Sequence, residues 1–196
     1  MKVSRRGIMT GIVTATGSSV LAAHVHVPGM SVSKAPSLFD SALFVTGADG
    51  SRLALATLKG RTMVATMFFA TCPDVCPMMI DRLRGVTSKL PARQQARLQF
   101  LLISFDPAHD RPEVLRAYAA AHGLPTANWT VAVADAGTSE HLATILDVKF
   151  RRLGEGSFSH VPMISLIDSD GTIAARLSSS SLETPLFAAA VDGLLS

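Results

Sequence analysis

Two apolar runs, Met63 to Phe69 and Leu98 to Phe105, flank a stretch of helix length, Pro77 to Leu90, and this pattern constrains the fold more than anything else in the chain. Runs of this kind, without alternating polar positions, suit strands buried on both faces. Two such strands joined through a helix make a βαβ unit. The remaining 91 residues after Phe105 continue the alternation. Pro112 to His122 reads as a helix with proline in its first turn and Gly123 at its end. Val131 to Ala134 is a short strand, Ser139 to Leu146 a helix capped by Ser139, and Met163 to Ile167 another buried strand. Asp168-Ser169-Asp170-Gly171 supplies turn chemistry before Thr172 to Leu177, and Pro185 to Leu195 closes as a helix.

That order is the order of a thioredoxin-like α/β sandwich, a central mixed sheet with flanking helices. A chain of 196 residues can bury one such core, and two full domains would be a tight fit. The domain proper is expected over residues 38–196. Residues 24–37 carry Pro28, Gly29, Pro36 and several serines without periodicity and read as a tether. Residues 1–23 read as an export signal or N-terminal anchor, with Lys2, Arg5 and Arg6 ahead of an uncharged, mostly apolar stretch. Ser4-Arg5-Arg6 resembles the start of a twin-arginine signal without the Phe-Leu-Lys that usually follows. A general secretory signal and an uncleaved membrane anchor fit the same composition. All three readings place the domain outside the cytoplasm, in or facing the periplasm.

The leader also accounts for the charge. Without its three basic residues the net charge of +3 falls to zero, so nothing supports a phosphate-binding surface and nucleic acid is excluded as the expected partner.

Only two cysteines are present, and in an exported domain a structural disulfide is the ordinary expectation. Their placement argues for a redox-active pair instead. Phe68-Phe69-Ala70-Thr71-Cys72-Pro73-Asp74-Val75-Cys76-Pro77 sets both thiols just after a buried strand and at the start of a helix. Unpaired N–H groups and the positive end of the helix dipole favour thiolate there. The three-residue gap separates the sulfurs by about one helical turn, which lets them converge on one metal ion.

A third donor must come from elsewhere. His24 and His26 lie in the tether with Met30, His109 follows the second strand, and His122 and His141 fall on amphipathic helices. His160 stands immediately before a buried strand, where a thioredoxin-like fold brings the chain against the cysteine turn. Two thiolates and an imidazole form a soft, low-coordination set suited to copper, whereas zinc ordinarily wants a fourth ligand that the sequence does not offer. Met78 and Met79 carry thioethers, but methionine in the first turns of a packed helix is usually core.

The cysteine motif resembles that of the Sco (SenC-type) family of copper chaperones for cytochrome oxidase. Ser104-Phe105-Asp106-Pro107-Ala108-His109-Asp110-Arg111-Pro112 is similar to the Asp-Pro-x-x-Asp segment of that family. Asn128-Trp129 falls where the family often has a tryptophan, and His160 lies eleven residues before Gly171, like the family's ligand histidine and following turn. The similarity runs from Leu38 to Leu177. It implies copper held by Cys72, Cys76 and His160, and a role in maturing the CuA centre of cytochrome c oxidase, with that enzyme's copper-bearing subunit or another copper or thiol protein as partner.

Val161-Pro162 departs from the family pattern and resembles thiol oxidoreductases of this fold, where a cis-proline faces the reactive cysteines. The second reading is therefore an extracytoplasmic thiol–disulfide oxidoreductase using Cys72 and Cys76 without obligatory metal. Asp106 and Asp110 are expected to serve turn and cap chemistry, with partner docking or tuning of the site as the sharper alternative.

Overall fold

The computed structural model describes residues 37–40, 42–154, 156–179 and 182–196. The leader and the tether through residue 36, and with them Arg5, Arg6, His24, His26 and Met30, lie outside the described residues. The elements run β1 (Phe44–Gly47), β2 (Arg52–Ala54), a 3-10 turn (Leu55–Leu58), β3 (Thr62–Phe68), α1 (Val75–Thr87), α2 (Ala92–Gln95) and β4 (Leu98–Ser104). They continue with α3 (Pro112–Ala121), β5 (Trp129–Val133), α4 (Ala136–Leu146), β6 (Phe150–Gly154), β7 (Ser157–His160), β8 (Met163–Ile167), β9 (Ile173–Ser178) and α5 (Thr184–Leu195).

The two apolar runs are the centre of the sheet. β3 and β4 pair in parallel from Thr62–Leu98 through Phe68–Ser104, and each is buried at six of its seven positions. β5 extends the parallel set beside β4, while β8 and then β9 join antiparallel on the other side of β3. With β1 and β2 on the far edge the order is β2-β1-β5-β4-β3-β8-β9, a mixed sheet of thioredoxin-like type.

Helix α1 lies on this sheet because its apolar positions recur at helical spacing. Cys76, Met79, Ile80, Leu83 and Val86 are all buried, forming one stripe. Each large side chain on it contributes about 1.5–3 kcal/mol from burial. α5 presents Phe187, Val191 and Leu195 in the same way and packs against α1, β8 and β9. Trp129 opens β5 stacked on Phe100, ring centroids 4.2 Å apart.

Some boundaries differ from expectation. α1 starts at Val75 rather than Pro77, which brings Cys76 inside the helix. α4 is capped by Asp135, whose carboxylate accepts the Thr138 N–H at 2.9 Å. Ser139, the expected cap, is buried in the first turn. The shorter strands β1, β2, β6 and β7 have no apolar run to announce them: β6 is exposed at four of five positions.

The turn at Asp168 to Gly171 forms as its residues imply. The Gly171 N–H donates to the Asp168 carbonyl at 2.9 Å, and Gly171 has φ 90°. A Cβ at Gly171 would also approach the Phe39 ring at 2.8 Å and collide with the Ser37 hydroxyl, whereas one at Gly60, with φ 91°, would meet nothing within 4 Å. Gly60→Ala therefore tests the left-handed backbone alone, at about 1–3 kcal/mol. Gly171→Ala is expected to cost more in urea unfolding of the metal-free protein, and equal costs would show that the contact relaxes freely.

Candidate metal centre

β3 ends in the core and its chain emerges through Phe69 and Ala70 into the cysteine turn. Two interactions fix that exit. The Ala70 N–H donates to the Asp110 carboxylate at 2.8 Å, and the Cys72 N–H donates to the Phe69 carbonyl at 3.2 Å. Asp110 is itself fully buried and accepts the Ser104 hydroxyl at 2.5 Å. Burial raises its carboxyl above the ordinary range, opposed by these hydrogen bonds. Ser104 is the last residue of β4, so the strand beside β3 sets where the cysteine turn begins.

Cys72 precedes α1 and Cys76 lies within it, so the pair straddles the helix N-terminus rather than sharing one helix. Both are free thiols. The Cys76 N–H points at Cys72 Sγ at 3.4 Å. Cys76 is 0% exposed and Cys72 8%. This burial overturns the expectation of an acidified thiol at Cys76: its pKa is pushed well up by desolvation. A helix terminus offers about 0.3–1 kcal/mol to a negative charge, whereas full burial shifts an ionisable group by up to 3–5 pK units.

His160 ends β7 and reaches the site from the opposite wall. Its Nε2 lies 3.5 Å from Cys76 Sγ. Phe69 and Phe105 flank the ring, with centroids 5.8 and 5.7 Å away and edge-on packing. Burial lowers the His160 pKa, so the imidazole is neutral at neutral pH and keeps a lone pair to offer. Bonds of about 2.3 Å to sulfur and about 2.0 Å to nitrogen, meeting at a tetrahedral angle, put the donors about 3.5 Å apart. The observed spacing therefore fits one metal ion, and in the metal-free protein the same spacing is a thiol–imidazole contact. Among the described residues no group of three or more His, Cys, Asp or Glu side chains is gathered closely enough to hold a metal as placed. Cys72 is adjacent but its sulfur is turned to the Cys76 N–H.

The other candidates stand apart. His109 Nδ1 is 2.7 Å from the Asp106 carboxylate. His122 lies 3.8 Å from Asp81, and His141 is exposed on α4. Met79 is core, accepting the Thr66 hydroxyl at 3.4 Å, whereas Met78, expected as core, is 55% exposed. Asp106 and Asp110 are fully buried, which corrects the partner-docking alternative because no partner can reach their carboxylates. The Val161–Pro162 bond is trans, like every described peptide bond, so the cis-proline element is not present. Val161 continues the hairpin by donating to the Lys149 carbonyl at 3.0 Å.

The aromatic packing that carries His160 has no signal in the sequence. Phe158 lies 5.1 Å from Phe69 and 5.0 Å from Phe105, and Phe150 stacks on Phe105 at 4.4 Å. Phe150 and Phe158 are ordinary hairpin residues by sequence, and only their convergence on Phe69 and Phe105 marks them. A cleft of about 550 Å³ lies elsewhere, between Arg84, Gln95 and Trp129, and includes none of these residues. The cysteine–histidine pair sits in the wall of the domain and not in that cleft.

The family model for SCO1/SenC proteins matches residues 33–196, which include the cysteine turn and the histidine hairpin. The chain belongs to the SCO1/SenC family. A Stutzerimonas stutzeri protein provisionally described as copper-binding is 30% identical over 125 residues, 62% of this chain and 60% of that one. The chain thus spans less than two-thirds of the length of that curated relative. Yeast Sco1 with copper bound superposes with a TM-score of 0.64 at 23% identity, covering 82% of this chain and 87% of that one. BsSco, described as a member of the Sco family of cytochrome c oxidase assembly proteins with a disulfide switch, gives 0.67 at 22%, covering 78% and 90%. These two structural likenesses establish the fold.

Proposed function

We propose that this SCO1/SenC protein binds copper as cargo through Cys72, Cys76 and His160 and assists assembly of cytochrome c oxidase. The observation that carries the reading is the 3.5 Å approach of His160 Nε2 to Cys76 Sγ, within the stretch that matches the SCO1/SenC family. Copper-bound yeast Sco1 and the provisional copper-binding description of the Stutzerimonas relative support the metal, and the description of BsSco supports the pathway. Two sulfurs and an imidazole suit Cu(I), and accept Cu(II) with an added water. Loading displaces the Cys76 thiol proton, so the high pKa of that thiol makes uptake pH-dependent. Transfer proceeds by ligand exchange, one donor replaced at a time, to the copper-bearing oxidase subunit at its CuA centre or to another copper or thiol protein.

Titration of the reduced protein with Cu(I), and with Cu(II), tests this. One tight equivalent with thiolate-to-copper charge transfer is expected. Absence of binding while the protein still reduces a partner disulfide would favour the thiol–disulfide oxidoreductase, a reading supported by the two free thiols at a helix start.

The protein's working place is proposed to be the periplasm or the periplasmic face of the inner membrane. No helix among the described residues is long and apolar enough to cross a membrane. Replacing Arg5 and Arg6 together by lysine is expected to block export, measured by fractionation, if the route is twin-arginine. Normal export of the double variant would assign the general secretory route, which needs positive charge but not arginine.

A further inference from the structure

The hairpin that carries His160 is built outside the main sheet. β6 and β7 pair only with each other, and register shifts between Arg152 and Gly154. The position of His160 therefore depends on what ties this hairpin to the body of the domain. At its base the ties are aromatic, through Phe150 and Phe158 on Phe69 and Phe105. Further out they are polar and converge on one carboxylate. Asp106, fully buried in the loop after β4, takes His109 Nδ1 on Oδ2 at 2.7 Å. Its Oδ1 has no hydrogen-bond partner among the described residues and faces Arg152 Nη2 of β6 at 3.8 Å. The Arg152 guanidinium in turn lies over the Phe158 ring of β7, 4.6 Å from its centroid.

His109 lies beside the turn of the same hairpin. A Cβ at Gly156, in the β6–β7 turn, would sit 3.7 Å from the His109 ring. The Gly156 carbonyl accepts the Thr71 hydroxyl at 3.3 Å, next to Cys72. Asp106 is thus the buried anchor of a clamp with two arms, Arg152 from within the hairpin and His109 beside its turn. A buried carboxylate left without its partners is costly, which gives the closed arrangement its driving force.

We infer that Arg152 and His109, both held by Asp106, are positioning residues that seat the β6–β7 hairpin so that His160 meets Cys76. This rests on the proposed metal-binding reading for its consequence, but the seating itself is a property of the metal-free protein. Groups that orient a ligand commonly change metal affinity by about 10–100-fold when removed. Arg152 and His109 act one step further out, so about three- to tenfold is expected for each.

The test uses Arg152→Gln, His109→Gln and the double variant, with Arg176→Gln as a control arginine that bonds the Ile145 carbonyl away from the clamp. Hydrogen exchange of the metal-free proteins should show amides of residues 150–160 exchanging about tenfold faster in Arg152→Gln, with β3 and β4 unchanged. Cu(I) competition should show weaker binding in the same variants, and the Cu(II)–thiolate band should change. The two single effects should be less than additive in the double variant, since both act through Asp106. Arg152→Lys, which keeps the charge, should restore part of the affinity. Unchanged hairpin exchange in Arg152→Gln overturns the clamp. Faster exchange with unaltered copper affinity and spectrum overturns the positioning role. Failure of the wild-type protein to bind copper at all would count against the proposed function, and the exchange result would still decide whether the clamp exists.

Discussion

Cys76→Ser is expected to abolish stoichiometric copper binding, and Cys72→Ser to do the same, in a Cu(I) titration of the reduced protein. A hydroxyl is a hard, weakly acidic donor and does not replace thiolate for Cu(I). The two substitutions differ in what they do to the fold, and this difference tests the free-thiol arrangement. Cys76 is fully buried on the stripe of α1 that faces the sheet, so a serine there places a hydroxyl among Met79, Ile80 and their neighbours at about 1–3 kcal/mol. Cys72 lies in the turn ahead of the helix and should cost less. A structural disulfide would behave otherwise: either substitution would break the same bond and lose the same roughly 2–5 kcal/mol. Equal and large drops in Tm for both metal-free variants would restore the staple reading, and tight copper binding in either would remove the proposed site.

The parts of this protein that were legible in its sequence are those where burial leaves a one-dimensional trace. β3, β4 and α1 are such parts: strands covered on both faces must be apolar throughout, and a helix on a sheet must repeat its apolar residues every three to four positions. The cysteine turn was legible for the same reason, since it is fixed to the end of β3. The β6–β7 hairpin was not. Arg151, Arg152 and Leu153 are exposed, and what holds the hairpin is contact with residues about 45 to 90 positions away. His160 could be nominated from its place ahead of β8, but its seat between Phe69 and Phe105 could not. The burial of Cys76 is not legible, because sequence reveals a helix terminus and hides the depth at which the terminus lies. Asp106 and Asp110 illustrate the converse. A loop rich in aspartate and proline reads as solvated turn chemistry, yet both carboxylates are buried and each organises a different segment, the hairpin for Asp106 and the cysteine turn for Asp110.

His160→Ala is expected to divide copper binding from thiol chemistry, because a copper site needs the imidazole whereas disulfide exchange needs only the two sulfurs. Losing one of three ligands should weaken copper affinity by at least an order of magnitude, equivalent to about 1.4 kcal/mol or more, and should alter the Cu(II) spectrum. Reduction of a partner disulfide should survive. An internal check shows whether the imidazole is seated as described. Burial lowers the His160 pKa below its ordinary 6.5, so as pH falls through that value the unfolded chain takes up a proton before the folded one does. The unfolded state then binds more protons, and the wild-type protein loses stability toward acid through this group. The alanine variant lacks that term, so its metal-free Tm should fall less than that of wild type between about pH 7 and pH 5. A shrinking Tm difference with unaltered copper affinity would mean a buried histidine that is no ligand, and the oxidoreductase reading would then be the better one. A shrinking difference together with the loss of affinity would tie the buried imidazole beside Cys76 to the metal itself.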